Sequence, residues 1–140
     1  MAESIMLNLV TPERSLVSGE VQEIVAQAAL GQVGILPGHA NYITLMEPGE
    51  MTYKDTDGSV HHLAVSGGFA EVTLEEGVRI MAESAEFAEE IDLERAKAAK
   101  ERAERRISDF DPSSQEVDIT RAEAALQRSL ARLSVIERAI

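Results

Sequence analysis

Four arginines set at helical spacing are the side chains of this 140-residue chain most suited to binding chemistry. Arg95 and Arg102 stand seven residues apart and Arg128 and Arg132 four apart, so each pair shares one face of a helix. If the two faces converge, their guanidinium forks match the oxygens of a polyphosphate. The same spacing also fits solvated helices on which Arg and Glu alternate, as at Glu101 and Arg105. On spacing alone both readings stand. Other candidates for chemistry fall away. Val65-Ser66-Gly67-Gly68 lacks the first Gly of a nucleophile elbow and reads as a turn. His61 and His62 are neighbours in an expected strand and so point to opposite faces, which prevents joint chelation. His39, after Pro37-Gly38, is a lone loop histidine and makes no metal site. No Gly-rich loop ends in Lys and Ser or Thr, so the sequence has no P-loop. The carboxylates show no pairing pattern beyond that of an acidic surface. The expectation is a non-enzyme with no catalytic residues, no metal and no required cofactor.

Composition narrows the class. Hydrophobic residues make up 44% and charged residues 27%, the balance of a folded, soluble chain. There is no Cys, which excludes disulfides and thiolate metal sites and fits a reducing compartment. The first residues, Met1-Ala2-Glu3-Ser4, lack the basic start of a signal peptide. No run approaches the roughly 18 apolar residues that span a bilayer, so no membrane span is expected. The net charge of −12 argues against nucleic acid, whose phosphates are held by Lys and Arg. That charge is uneven. Residues 1–84 carry 12 acidic and only 3 basic side chains (Arg14, Lys54 and Arg79), whereas residues 85–140 carry 13 and 10.

The elements that must position the arginines follow from a change of period. Residues 1–84 read as short strands: Ile5, Leu7 and Leu9 alternate with Met6, Asn8 and Val10, and Ser18-Gly19 predicts a turn ahead of Val21–Ala28. Met51–Asp55 and Val60–Val65 form a hairpin about Asp57-Gly58, and Phe69–Leu74 and Val78–Ala82 form another about Glu75-Glu76-Gly77. Such strands imply a flattened β-sandwich or barrel. From residue 85 onward the period becomes about 3.6. Ala96, Ala99, Ala103, Ile107 and Phe110 make one stripe, with Asp92 as N-cap. Asp111-Pro112-Ser113-Ser114 breaks the helix. Asp118 is a second N-cap candidate, and Ile119, Ala122, Leu126, Leu130, Leu133 and Ile140 make a second stripe. The fold class is thus α+β by segment: a β-domain over 1–84 and an antiparallel helical hairpin over 85–140. Its Ala-rich seam buries little area, so the hairpin is expected to detach and re-dock readily.

Several runs together resemble the epsilon-subunit family of bacterial F-type ATP synthases, the counterpart of the mitochondrial delta subunit. They are Leu9–Arg14, Ser18–Val21, Gly31–Ala40 and Leu63–Val72, followed by Ile91–Ala96 and Leu133–Glu137. Their order and spacing cover nearly the whole chain. The resemblance implies a sandwich of about ten strands at the foot of the central stalk, peripheral on the cytoplasmic face of the bacterial inner membrane. It implies binding to the gamma subunit and to the polar loops of the c-ring, the latter through the Gly31–Ala40 loop with Gly31, Gln32 and His39. The hairpin is similar to the family's brake: folded down it permits turnover, and extended into the alpha/beta catalytic head it inhibits ATP hydrolysis. Basic residues of the second helix (Arg121, Arg128, Arg132 and Arg138) would face an acidic surface there. The Ile91–Ala96 run is similar to an ATP-binding signature of some members. Carried over, a regulatory ATP site comprises Glu86, Ile91, Asp92, Arg95, Ala96 and Arg102, with Arg128 and Arg132 from the second helix. The alternative is a free-standing ATP-sensing module with the β-domain as a platform.

Overall fold

The computed structural model describes residues 4–113 and 116–139. Its first half is a nine-stranded sheet folded into a sandwich: β1 (Ile5–Val10), β2 (Ser15–Ala28), β3 (Gly31–Ile35), β4 (Tyr42–Leu45), β5 (Gly49–Asp55), β6 (Val60–Ser66), β7 (Phe69–Thr73), β8 (Gly77–Met81) and β9 (Ser84–Phe87). The strand path is β4-β7-β8-β1-β2-β5-β6-β9, with β3 added to β2. Pairing is antiparallel except between β1 and β8. Alternation in β1 turns Leu7 and Leu9 fully inward, where they meet Ile24, Met51, Leu63, Val72, Val78 and Ile80. Each such side chain contributes roughly 1.5–3 kcal/mol by its burial.

Two local expectations change. Ser18-Gly19 is no turn: β2 runs unbroken for 14 residues, with Gly19 paired to Leu7 and Ser18 to Asn8. The Ser18 hydroxyl donates to Asn8 Oδ1 across the pair at 3.0 Å. A register shift between Val21 and Glu23 lets this strand leave β1 and serve β3 and β5. The expected Gly31–Ala40 loop is half strand, because Gly31–Ile35 pairs with Ile24–Ala28 as β3. The two expected hairpins form. Asp55 organises the first turn by accepting from the backbone N–H of Asp57 and Ser59 at 2.9 and 3.0 Å. The sheet also continues past residue 84, since Ser84–Phe87 pairs with Leu63–Ser66.

A 3-10 turn (Ala88–Glu90) leads into α1 (Leu93–Ser108), and α2 (Glu116–Ala139) follows. Asp92 caps α1 by accepting from the Arg95 N–H at 3.1 Å. Asp111 makes a short Asx turn at the break, accepting from the Ser113 N–H at 2.9 Å; Ser114 lies outside the described residues. Asp118 lies within α2 rather than ahead of it, and Ile140 is outside the described residues. The helices pack on each other, and α2 is the one that lies on the sandwich, against β5 and β6. Their buried residues are small: Ala96 and Ala103 on α1, Ala122, Ser129, Ala131 and Val135 on α2. Leu130, expected in the α2 stripe, is 44% exposed instead. The Glu101–Arg105 pair does not form: Arg105 Nε donates to the Glu101 carbonyl at 3.5 Å.

Glycine is required at the bend between β6 and β7. Gly68 has φ +104°, and a Cβ there would lie 2.0 Å from the Met81 carbonyl oxygen. Gly19 faces open space in extended backbone. Gly68→Ala should therefore destabilise the sandwich by more than ~1 kcal/mol in urea unfolding, while Gly19→Ala leaves it within ~0.5 kcal/mol.

Candidate functional site

The segment joining sheet to hairpin is fixed from the far end of the first strand pair. Arg14 sits on the β1–β2 turn, where the Thr11 N–H donates to its carbonyl at 2.9 Å and its own N–H donates to Thr11 Oγ1 at 3.3 Å. From there its guanidinium reaches Glu90 in a fork: Nη1 to Oε2 and Nη2 to Oε1, both 2.8 Å. Nη2 also donates to the Ala85 carbonyl at 3.3 Å. Glu90 Oε1 in turn accepts the Phe87 N–H at 2.9 Å, closing the 3-10 turn. The Arg14 bond, reinforced by the Phe87 amide, holds the Glu90 carboxyl below its ordinary value of 4.5.

Beside this anchor lies a cleft of ≈ 390 Å³, walled by Ser84, Glu86, Glu90, Ile91 and Asp92 from the connecting segment, Arg95, Ala99 and Arg102 from α1, and Arg132 from α2. Of the eight residues carried onto a nucleotide site, Glu86, Ile91, Asp92, Arg95, Arg102 and Arg132 meet here. Two do not. Ala96 is 2% exposed and fills the helix seam without lining the cleft. Arg128 lines a neighbouring narrow gap with Ser66 and Ser84, a gap that Arg132 borders too. Sequence reasoning missed Ser84, Glu90, Ala99 and the buttressing Arg14.

The charges in the cleft are already sorted. Arg132 Nε donates to Glu86 Oε1 at 2.6 Å, Glu90 is held by Arg14, and Asp92 is turned to the α1 amides. The guanidiniums of Arg95 and Arg102 have no ion pair or hydrogen bond among the described residues. Every carboxylate is engaged while two cations face the cavity, an arrangement suited to an anion with several oxygens. A second charged contact ties α2 down near its end: Glu50 Oε2 lies 3.3 Å from Arg138 Nη1, and Glu50 Oε1 lies 3.3 Å from His62 Nδ1. Adjacent His61 pairs instead with Asp55 at 2.8 Å and stacks on Tyr53, so the two histidines serve different partners. Among the described residues no group of three His, Asp or Glu is placed to hold a metal ion. No helix is long and apolar enough to cross a membrane.

The residues expected to face a ring do not share one cavity. Gly31 and Gln32 stand on β3 beside a broad cleft of ≈ 600 Å³, opposite Gln127, Ser134 and Arg138 of α2. His39 lies beyond β3, its Nδ1–H donating to the Ala40 carbonyl at 2.7 Å and its ring edge-on to Tyr42. Flanking β3, Leu30 is fully exposed and Leu36 largely so. The outer face of β4-β7-β8-β1 carries an apolar row, because register aligns Leu45, Phe69, Met81 and Val10. Leu45 is 68% exposed, Ile43 on the same strand 66%, and Phe69 and Met81 about two-fifths. Sequence alternation assigned no role to this row. An exposed apolar strip of this kind marks a docking surface.

Comparison with known proteins agrees with this architecture. Residues 4–88 match the family described as ATP synthase, Delta/Epsilon chain, beta-sandwich domain, and residues 89–137 its long alpha-helix domain. The ATP synthase epsilon chain of Desulforapulum autotrophicum is 50% identical over 109 residues, 78% of this chain and 80% of that one. Those of Desulfosudis oleivorans and Geobacter sulfurreducens are 48% and 47% identical over 107 and 112 residues, or 76% and 80% of this chain and 80% of each relative. Among solved structures, a chain of the Euglena gracilis mitochondrial ATP synthase (OSCP, F1 and c-ring) is similar at TM-score 0.81 and 27% identity, covering 96% of this chain and 81% of that one. A chain from the Tetrahymena thermophila central stalk and c-ring shares the fold at TM-score 0.60 and 12% identity, covering 94% and 95%.

The Arg14–Glu90 fork gives a pH dependence whose sign is fixed. A carboxyl whose value is lowered on folding contributes its stabilisation in full above its ordinary value and loses it as pH falls through the folded value. The stability difference between the native chain and Glu90→Gln should be constant above about pH 5 and shrink steadily below pH 4.5. Thermal melts from pH 3 to 7 check this; a difference that persists unchanged at pH 3 contradicts the assignment.

Proposed function

The chain belongs to the ATP synthase delta/epsilon family, whose members are non-catalytic subunits of the complex, and from that premise we propose that its hairpin is a nucleotide-gated brake. In this reading the sandwich joins the central stalk, peripheral to the bacterial inner membrane. It binds the gamma subunit through the apolar row of β4, β7 and β8, and it meets the c-ring loops with β3 and the segment after it. The hairpin docked on β5 and β6 permits turnover. Extended toward the alpha/beta head it inhibits hydrolysis, presenting Arg121, Arg128, Arg132 and Arg138 to acidic partners. ATP bound between the connecting segment, α1 and α2 stabilises the docked form, because the cleft draws residues from all three and disperses when the hairpin leaves.

The observation that carries this reading is the pair of guanidiniums, Arg95 and Arg102, that have no partner among the described residues, in a cleft whose carboxylates are all engaged. ATP supplies the complementary charge and oxygens. The free-standing sensor accounts for the cleft equally well. It gives no reason for Leu30, Leu36, Ile43 and Leu45 to stand in solvent, which favours the stalk reading.

Calorimetric titration of the full chain with ATP should give saturable binding, lowered about tenfold or more by Arg95→Ala or Arg102→Ala, since a bond to a charged group contributes ~1.5–3 kcal/mol. In the reconstituted complex, a chain ending at Glu90 should still assemble but no longer inhibit ATP hydrolysis. Equal inhibition by the shortened and full chains would end the hairpin-as-brake reading. For the docking surface, Leu45→Asp together with Phe69→Asp should abolish capture of gamma while leaving ATP binding by the isolated chain intact.

A further inference from the structure

Leu9–Arg14 is a sequence run that the cleft itself does not use, yet its last residue reaches the cleft's edge. We propose that Arg14 is a positioning residue of the nucleoside-triphosphate site: by holding Glu90 in a bidentate fork it masks the cleft carboxylate that neither a lining cation nor the α1 N-terminus engages. The inference rests on the nucleotide reading above and adds a residue from the opposite end of the chain to it.

Four observations carry it. Glu90 lines the cleft that Arg95, Arg102 and Arg132 also line. Of the carboxylates there, Glu86 is engaged by Arg132 from within the cleft, and Asp92 by the Arg95 backbone N–H. Glu90 alone depends on a cation outside the lining, and both its oxygens receive Arg14 at 2.8 Å. Arg14 is in turn preset by its turn, through hydrogen bonds of its backbone N–H and carbonyl with Thr11, and by its bond to the Ala85 carbonyl. Without Arg14 a bare carboxylate would face the phosphates and repel them.

Charge masking and mere bracing make opposite predictions for one substitution. Glu90→Gln removes the charge but keeps an amide oxygen for the Phe87 N–H, so the 3-10 turn survives. The experiment titrates ATP into the full chain and into R14A, R14K, E90Q and the R14A/E90Q double variant, at low and moderate salt. R14A should weaken ATP about three- to tenfold, R14K less, and the loss should shrink as salt rises. E90Q should bind at least as well as the native chain, and the double variant should return to within about twofold of it. If R14A binds ATP as the native chain does, this inference alone falls and the nucleotide site stands. If E90Q and the double variant are as weak as R14A, the fork is only a brace and the masking role is wrong. A native chain that does not saturate at millimolar ATP overturns the nucleotide reading and this inference with it.

Discussion

The seating of α2 on β5 and β6 is the contact on which the rest of the molecule's behaviour depends. It places Arg132 over Glu86 and so closes the cleft, and it holds α1 on the molecule, since α1 packs chiefly on α2. The buried described residues of α2 are small, Ala122, Ser129, Ala131 and Val135, whereas Leu126, Leu133 and Ile136 are half-buried and Leu130 is 44% exposed. Ser129 spends its hydroxyl on the Ala125 carbonyl within its own helix at 2.9 Å, so it adds no bond to the sandwich. Apolar area of this kind is worth ~25 cal/mol per Å², and an Ala buries little of it. Two ion pairs add fixed points along the helix: Arg132 to Glu86, and Arg138 to Glu50 near its end. Glu50 is largely covered and its Oε2 has no hydrogen bond, so the Arg138 contact offsets part of the cost of covering that charge when the helix docks.

The sandwich is built to the contrary rule. Leu7, Leu9, Ile24, Leu63 and Ile80 are wholly buried, and β2 serves as the common strand of both layers. Its core does not depend on the hairpin, and the connecting segment is bound to it twice: β9 pairs with β6, and Arg14 grips Glu90. A hairpin leaving this sheet thus has a natural pivot just past Glu90, at Ile91 and Asp92. Sheet and hairpin differ in cohesion by design of their side chains, large in one and small in the other.

Much of this was legible in the residues, and the failures have physical causes. Asp57-Gly58 and Glu75-Glu76-Gly77 name their turns because a short polar, Gly-bearing loop between alternating runs has few other uses. Arg95 and Arg102 could be put on one face because α1 is regular enough for spacing to fix it, whereas Asp92 was legible as the helix cap and joined the site only through the family resemblance. Ser18-Gly19 misled because a glycine inside a long strand looks locally like a turn, and only pairing with β1 keeps it extended. Gly31–Ile35 hid as a loop for the same reason: its strand character comes from β2, not from its own glycine-rich sequence. Arg128 and Arg132 share a helix face, yet α2 is rolled so that only Arg132 enters the cleft, a rotation set by the seat on β5 and β6. Arg14 was out of reach altogether. It meets Glu90 across 76 positions, and no local pattern encodes a contact between a β-turn and a helix approach.

A weak seat and a charged cleft at its edge belong together energetically. A ligand that binds only the docked hairpin adds RT ln(1 + [L]/Kd) to docking, ~2.7 kcal/mol when its concentration is a hundred times Kd. Against a core held by buried leucines that amount would change nothing observable. On the reading proposed above, it acts instead on a helix whose buried described residues are Ala122, Ser129, Ala131 and Val135, joined to the sandwich by two ion pairs, and it shifts the population toward the docked form. On that reading, a small anion held between the connecting segment, α1 and α2 would bias the 24 residues of α2 toward the sandwich.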